Sequence, residues 1–283
     1  MEARSLAQAG AQPGGRSTAT AADGTRLFVR DWGDGRPVVF LSAWTFCSDV
    51  WGFHIAELAA RGHRCVAYDR RGHGRSEDPG RGYDADTLAD DLAAVLEQRD
   101  LTDVTLVAHS MGSTEAVRYL VRHGSGRVAR LMLVAPVTPY LTRTEDNPDA
   151  IPGSAFDAMR ATIAADFPKW LSDNEAPFFT PETSRETRDW IRGIMVSVAL
   201  PTVLACHRTF TQTDFRADMA LINRPTLIVH GDRDASAPLE ITGARTAQLI
   251  PESRLAVYEG APHALFLTHK ERLVAELMAF LAA

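Results

Sequence analysis

The sequence has little cysteine. The three residues, Cys47, Cys65 and Cys206, are scattered and odd in number. They form no CxxC pair and no zinc-like spacing, so neither a disulfide framework nor a structural metal site is expected, and buried reduced thiols are the reading. Long apolar runs are also missing: no stretch reaches the ~18 residues that a membrane span needs. The opening residues, MEARSLAQAGAQPGGRSTATAADG, contain no apolar segment of the kind a secretory signal carries. There is no basic excess either. Acidic residues outnumber basic ones by 36 to 30, for a net charge of −6, which excludes the electrostatic footprint of a nucleic-acid binder. Together these absences point to a cytoplasmic protein with no nucleic-acid or membrane partner. Nothing in the residues sets the oligomeric state, and a homo-oligomer is compatible with them.

What remains is ordinary globular composition, 45% apolar and 23% charged over 283 residues, enough to bury a core beneath a wide sheet. An Ala/Gly/Pro/Ser-rich leader is expected over 1–17. Asp23-Gly24 is a hairpin-turn signal. Beyond it, short apolar runs alternate with helix-period segments. Strands are predicted at 26–31, 38–41, 64–68, 104–109 and 129–134, with helices at 50–61, 84–99 and near 114–123. Alternation of this kind implies a mostly parallel sheet with helices on both faces. It stops at about Thr138 and resumes with strands at 226–230 and 255–258 and a closing helix at 270–281. The interval 138–217, helix-like and carrying Trp170, Phe178, Phe179, Trp190 and Phe210, is expected to be an inserted helical cap. The core is then 18–137 with 218–283.

The stretch TLVAHSMGST, Thr105 to Thr114, places a hydroxyl where a buried strand meets a helix. Such a turn needs small neighbours, and Ala108 and Gly112 flank Ser110 at −2 and +2. This is the small-x-Ser-x-Gly elbow that lifts a nucleophile above the carboxyl end of a strand. A serine nucleophile needs a base and a carboxylate to orient it. Both are expected after later strands. Of nine histidines, His263 alone stands in the turn that directly follows the last strand, in EGAPH. The turn GDRDASAP offers two acids. Asp232 suits a local turn bond, and Asp234, further into the loop, is the choice. Acyl transfer also needs backbone donors for its oxyanion. These are expected to be the N–H of Met111, next to the serine, and that of Trp44, in the loop Ser42-Ala43-Trp44-Thr45 after the central strand. Trp44 and Phe46 are candidate pocket walls. No metal ligand set or cofactor motif is found, and neither a metal nor a cofactor is expected.

From about Thr18 onward the chain resembles the α/β-hydrolase superfamily, within it the small bacterial esterases, perhydrolases and cofactor-free haloperoxidases. AYDRRGHGRS (67–76), HSMG (109–112), RYLVRHGSGRVARLMLVAP (118–136), HGDRDASAP (230–238) and GAPH (260–263) carry the likeness. The resemblance implies the α/β-hydrolase fold, Ser110 as nucleophile, Asp234 as acid, His263 as base and the amides of Trp44 and Met111 as the oxyanion hole. It also implies a mainly architectural RRGHGRS loop. The chain departs from the family at Ser42-Ala43, where His-Gly is usual, and at Ala108, Ser113-Thr114 and Ala264, where glycines are usual. Ala43 brings a Cβ into the oxyanion turn, so a reshaped turn is expected. The activity expected is cofactor-independent hydrolysis of a carboxylic ester or lactone. The alternatives are peracid formation or carbon–carbon bond hydrolysis by the same residues, and a ligand sensor built on the fold. A dehalogenase or epoxide hydrolase is disfavoured, because those need a carboxylate at Ser110.

Overall fold

The computed structural model describes residues 17–283. All of the expected leader but Ser17 lies outside that range. Among the described residues, eight strands form one sheet: β1 (Thr18–Thr20), β2 (Arg26–Trp32), β3 (Pro37–Leu41), β4 (Arg64–Tyr68), β5 (Val104–His109), β6 (Val128–Val134), β7 (Thr226–Gly231) and β8 (Arg254–Tyr258). Their spatial order is β1-β2-β4-β3-β5-β6-β7-β8. The hairpin β1–β2 and the β2–β4 pair are antiparallel, and the pairs from β4 to β8 are parallel. Strand β1 has no counterpart among the expected strands: three residues are too few for a period-2 pattern to register.

The central strands are apolar almost throughout because both faces are covered. In β3, Val39 and Leu41 join the core on one face, while Val38 and Phe40 join that on the other. The first face is closed by α2 (Ala85–Gln98), α3 (Gly112–Arg122) and α9 (Gly243–Leu249), and the second by α1 (Gly52–Ala59) and α11 (Lys270–Ala282). Helix α2 begins where Asp84 accepts a hydrogen bond from the Thr87 amide at 2.9 Å, a side-chain cap. The segment expected as one helix over 50–61 opens instead with a 3-10 turn, Ser48–Trp51, before α1.

Between β6 and β7 the chain leaves the sheet. It forms α4 (Gly153–Ala165), α5 (Phe167–Asp173), a 3-10 turn (Ala176–Phe178), α6 (Arg185–Val196) and α7 (Leu200–Gln212), then returns through α8 (Arg216–Met219). Hydrogen bonds tie this insertion to the sheet side. The Trp44 Nε1 donates to Val203 O at 3.0 Å, Thr209 Oγ1 to Tyr83 O at 2.6 Å, and the Ala264 amide to Phe178 O at 3.1 Å. A short helix, α10 (Leu265–Thr268), precedes α11. All three thiols are buried, and burial pushes each up to about 12, so they stay protonated. No single helix among the described residues is long and apolar enough to cross a membrane.

Candidate active site

Parallel strands end on one edge of the sheet, and the side chains singled out in the sequence converge there. Ser110 follows the last residue of β5 with φ +53°, a left-handed conformation that L residues rarely adopt. That turn survives because its surroundings over-determine it. The Ser110 amide donates to Val134 O at 2.9 Å. Gly112 is indispensable: a Cβ there would lie 2.8 Å from Leu41 O and 2.9 Å from Leu41 Cβ. Ser113, one of the departures from the family pattern, ties the elbow down. Its Oγ donates to Ser110 O at 2.5 Å and accepts from the Val137 amide at 3.3 Å. Thr114 Oγ1 donates to Met111 O at 2.7 Å.

Ser110 Oγ stands 2.9 Å from His263 Nε2, and His263 Nδ1 stands 2.7 Å from Asp234 Oδ2. All three residues are buried. A carboxylate only accepts, so Nδ1 carries the imidazole proton, and Nε2 is left with the lone pair that faces the serine hydroxyl. Asp234 Oδ1 is occupied by the amides of Ser236 and Ala237 at 2.9 and 2.8 Å. Burial by itself would raise the Asp234 pKa. The charge of His263 and hydrogen bonds from His230 and His263 outweigh it and hold the carboxyl far below its usual range. Asp232, expected to bond within its own turn, instead accepts from the Gly260 amide, in the turn after β8, at 2.7 Å.

Two histidines have roles that the sequence did not disclose. His230 is fully buried. Its Nε2–H reaches Ala237 O at 2.8 Å and Asp234 Oδ2 at 3.2 Å, so the carboxylate oxygen that receives His263 also faces a second imidazole. Gly243 makes room for that ring, since a Cβ there would meet His230 Nδ1 at 2.4 Å. The only hint in the sequence is the i,i+4 spacing of His230 and Asp234. His109, inside the elbow, donates from Nε2 to His263 O at 3.1 Å and packs its ring 5.1 Å from that of His263. Burial, together with the nearby His263, lowers the His109 pKa well below normal, so it supports the His263 loop as a neutral ring.

The loop Ser42–Thr45 is shaped from behind. Arg70, in the RRGHGRS segment, donates to Ser42 O at 2.6 Å and to Ala43 O at 3.1 Å. In a trans peptide the N–H points opposite the C=O. With Ala43 O held by Arg70, the Trp44 N–H is turned away from Arg70. Glu115 of α3 pairs with Arg70 and accepts from Tyr68 Oη at 2.7 Å, linking this loop to the helix that follows Ser110. Neither the Trp44 nor the Met111 amide has a protein acceptor among the described residues. The positive φ in this loop falls on Thr45, at +63°, and not on Ala43, so the Cβ of Ala43 meets no backbone strain.

A cavity of 340 Å³ opens onto Ser110 and His263. Trp44 and Phe46 both line it, as do Trp170, Phe178, Phe179 and Phe210 from the insertion. Trp190, the remaining aromatic named in that insertion, is 37% exposed on the outer surface.

Residues 36–270 match the α/β-hydrolase fold family. The chain belongs to that family. It is 38% identical to a non-heme chloroperoxidase of Kitasatospora aureofaciens, over 93% of this chain and 98% of the relative. It is 34% identical to a bifunctional esterase/perhydrolase of Acinetobacter calcoaceticus, with the same shares covered. Among solved structures, a bromoperoxidase from Bacillus anthracis superposes with a TM-score of 0.90 at 34% identity, over 94% of this chain and 100% of that one. An esterase from Exiguobacterium antarcticum superposes with a TM-score of 0.91 at 30% identity, over 94% and 99%. As a member of this α/β-hydrolase superfamily, the chain is an enzyme with esterase and haloperoxidase/perhydrolase relatives.

Proposed function

We propose that the protein is a cofactor-independent serine hydrolase of carboxylic esters or lactones. The observation that carries this reading is the buried hydrogen-bond sequence Ser110–His263–Asp234, at 2.9 and 2.7 Å. Ser110 Oγ attacks the acyl carbon as His263 Nε2 takes its proton. The tetrahedral oxyanion forms between the amides of Trp44 and Met111, where the amino end of α3 also favours negative charge. His263 then protonates the departing alkoxide, leaving an acyl-serine. Water, deprotonated by the same imidazole, releases the acid and restores the hydroxyl. Asp234 holds the tautomer and stabilises the imidazolium. A fluorophosphonate should add once, at Ser110, and Ser110→Ala should lose both labelling and turnover of p-nitrophenyl esters. Turnover undiminished in that variant would refute the reading.

A second reading keeps the residues and changes the acceptor. Hydrogen peroxide in place of water would attack the acyl-serine and release a peracid with the free serine. The names of the chloroperoxidase and esterase/perhydrolase relatives favour it. Peracid formed from acetate or an acetate ester with peroxide, scored against hydrolysis of that ester, separates the two.

A further inference from the structure

The insertion places one histidine in the apolar wall of the cavity. His207, on α7, is 2% exposed and lines the same space as Ser110. Its ring stands edge-on to those of Trp44, Phe156 and Phe210, with centroids 5.4, 5.9 and 5.0 Å away, which fixes its plane. Behind it, outside the cavity lining, is the buried guanidinium of Arg160 from α4, whose Nη1 lies 3.1 Å from His207 Nδ1. A guanidinium only donates, so His207 Nδ1 must accept, and the neutral ring carries its proton on Nε2. Burial, with the charges of Arg160 and Arg208 beside it, pushes the His207 pKa down to about 3, so the ring is neutral at ordinary pH. The Nε2–H is therefore a donor with a set direction. It faces Met159 Sδ at 3.3 Å, and a thioether is a weak acceptor.

A histidine that served only to fill space would need no buried arginine to fix its tautomer. Nor would it leave a strong donor against sulfur on a cavity wall. Met159 is 37% exposed and unbranched, so it can yield to a better acceptor. We infer that His207 Nε2–H is a substrate-recognising donor, and that the preferred substrate is an ester carrying a second, uncharged oxygen acceptor, a ketone or ether, besides the reacting carbonyl. This rests on the esterase reading of Ser110. The contact of His207 with the Trp44 ring places the second oxygen on the side of the cavity that also holds the proposed oxyanion amide. A carboxylate is disfavoured there, because the ring's donor is neutral and the guanidinium behind it already pairs with Asp157, so neither compensates for stripping water from an anion.

The test compares matched esters that differ by one atom. On the acyl side these are p-nitrophenyl hexanoate against its 3-, 4- and 5-oxo and 4-oxa counterparts, with the adipate half-ester as the charged arm. On the alcohol side they are butyl acetate against 2-methoxyethyl acetate. The readout is the ratio of kcat/KM for the oxygen-bearing ester over its methylene parent, taken within each protein and normalised to alkaline hydrolysis. At one position the unmodified protein should prefer oxygen by roughly tenfold, the worth of one hydrogen bond. His207→Gln, which keeps an N–H near Nε2, should retain most of that ratio, and His207→Phe should bring it to about one. If His207→Phe does not fold, the double variant His207→Phe/Arg160→Met, which also removes the guanidinium that loses its imidazole acceptor, takes its place. No preference at any position, or a preference that survives in the Phe variant, overturns the assignment. A preference for the half-ester that depends on His207 overturns its uncharged character. Failure of the unmodified protein to hydrolyse any parent ester would sink the esterase reading itself.

Discussion

At the scale of single residues, Asp234 and Asp232 make a controlled pair two positions apart. Only Asp234 reaches His263, while Asp232 bonds the Gly260 amide. Asp234→Asn should lower kcat by about 10⁴, because an amide can present its N–H to Nδ1 and stabilise the wrong tautomer. Asp232→Asn keeps an oxygen that can accept from the Gly260 amide, so it should cost no more than about 1 kcal/mol of stability and little rate. Steady-state kinetics and denaturant melts on the two variants check this, and the reverse pattern would exchange the roles. The depressed pKa of Asp234 also has a thermodynamic signature. In the unfolded chain it titrates near an ordinary ~4, in the folded chain well below, so its ionisation stabilises the fold above about pH 4 and that contribution drains away as the pH falls further. Against Asp234→Asn, which cannot titrate, the unmodified protein should lose relative stability by about 1.4 kcal/mol for each pH unit below about 4. A stability difference that stays flat between pH 5 and 3 would contradict the assigned shift.

At the scale of elements, the decisive joint is between the Ser42–Thr45 loop and α3. Arg70 and Glu115 are both buried, and they hold that joint from behind. Arg70→Met should destabilise the protein by about 3–5 kcal/mol, because Glu115 is left as an unpaired buried charge. The double variant Arg70→Met/Glu115→Leu removes both charges and should recover most of that loss. It should not recover kcat, since Ala43 O then keeps only the Phe46 amide, at 3.2 Å, and the charged donor that turns the Trp44 N–H away is gone. Equal recovery of stability and kcat would reduce the pair to scaffolding. The same joint explains why Gly112 tolerates nothing larger. Gly112→Ala pushes a methyl group against the backbone of β3 and should cost about 1–3 kcal/mol, with a fall in kcat as the elbow shifts. The oxyanion assignment itself is tested by removing the N–H. Trp44→Pro, checked first for native circular dichroism, should have a kcat about 10²–10³ below that of Trp44→Ala.

For the whole molecule, the sheet edge supplies the proposed reacting groups, and the insertion supplies much of the wall of the space above them. The cavity, at 340 Å³, lies at the small end of ligand sites. Its aromatic walls should accept short and medium acyl chains. For p-nitrophenyl esters, kcat/KM should fall by more than about tenfold between the butyrate or hexanoate and the palmitate, which such a volume cannot bury. Phe210→Ala, which deletes one wall, should move the optimum to longer chains. A flat profile across chain length would mean that the insertion opens in solution.

Much of the architecture was legible in one dimension because its signals are local. Buried parallel strands are apolar on both faces, and β5 was placed at its observed bounds, 104–109. The elbow around Ser110 reads from small residues at fixed offsets. Ser110, Asp234 and His263 could be singled out because each follows a strand whose end lies on one edge of the sheet. The insertion was legible as helical, but not which of its aromatics face inward: Trp170 and Phe210 line the cavity while Trp190 does not. Nor could the sequence disclose that His230 also donates to Asp234, that Arg70 fixes the Ala43–Trp44 peptide, or that Arg160 sets the tautomer of His207. These contacts join positions up to 47 residues apart, through directions that a side chain acquires only when packed. Periodicity and spacing determine which residues stand at the end of a strand. The direction of a hydrogen bond depends on what closes around it, and only the folded chain decides that.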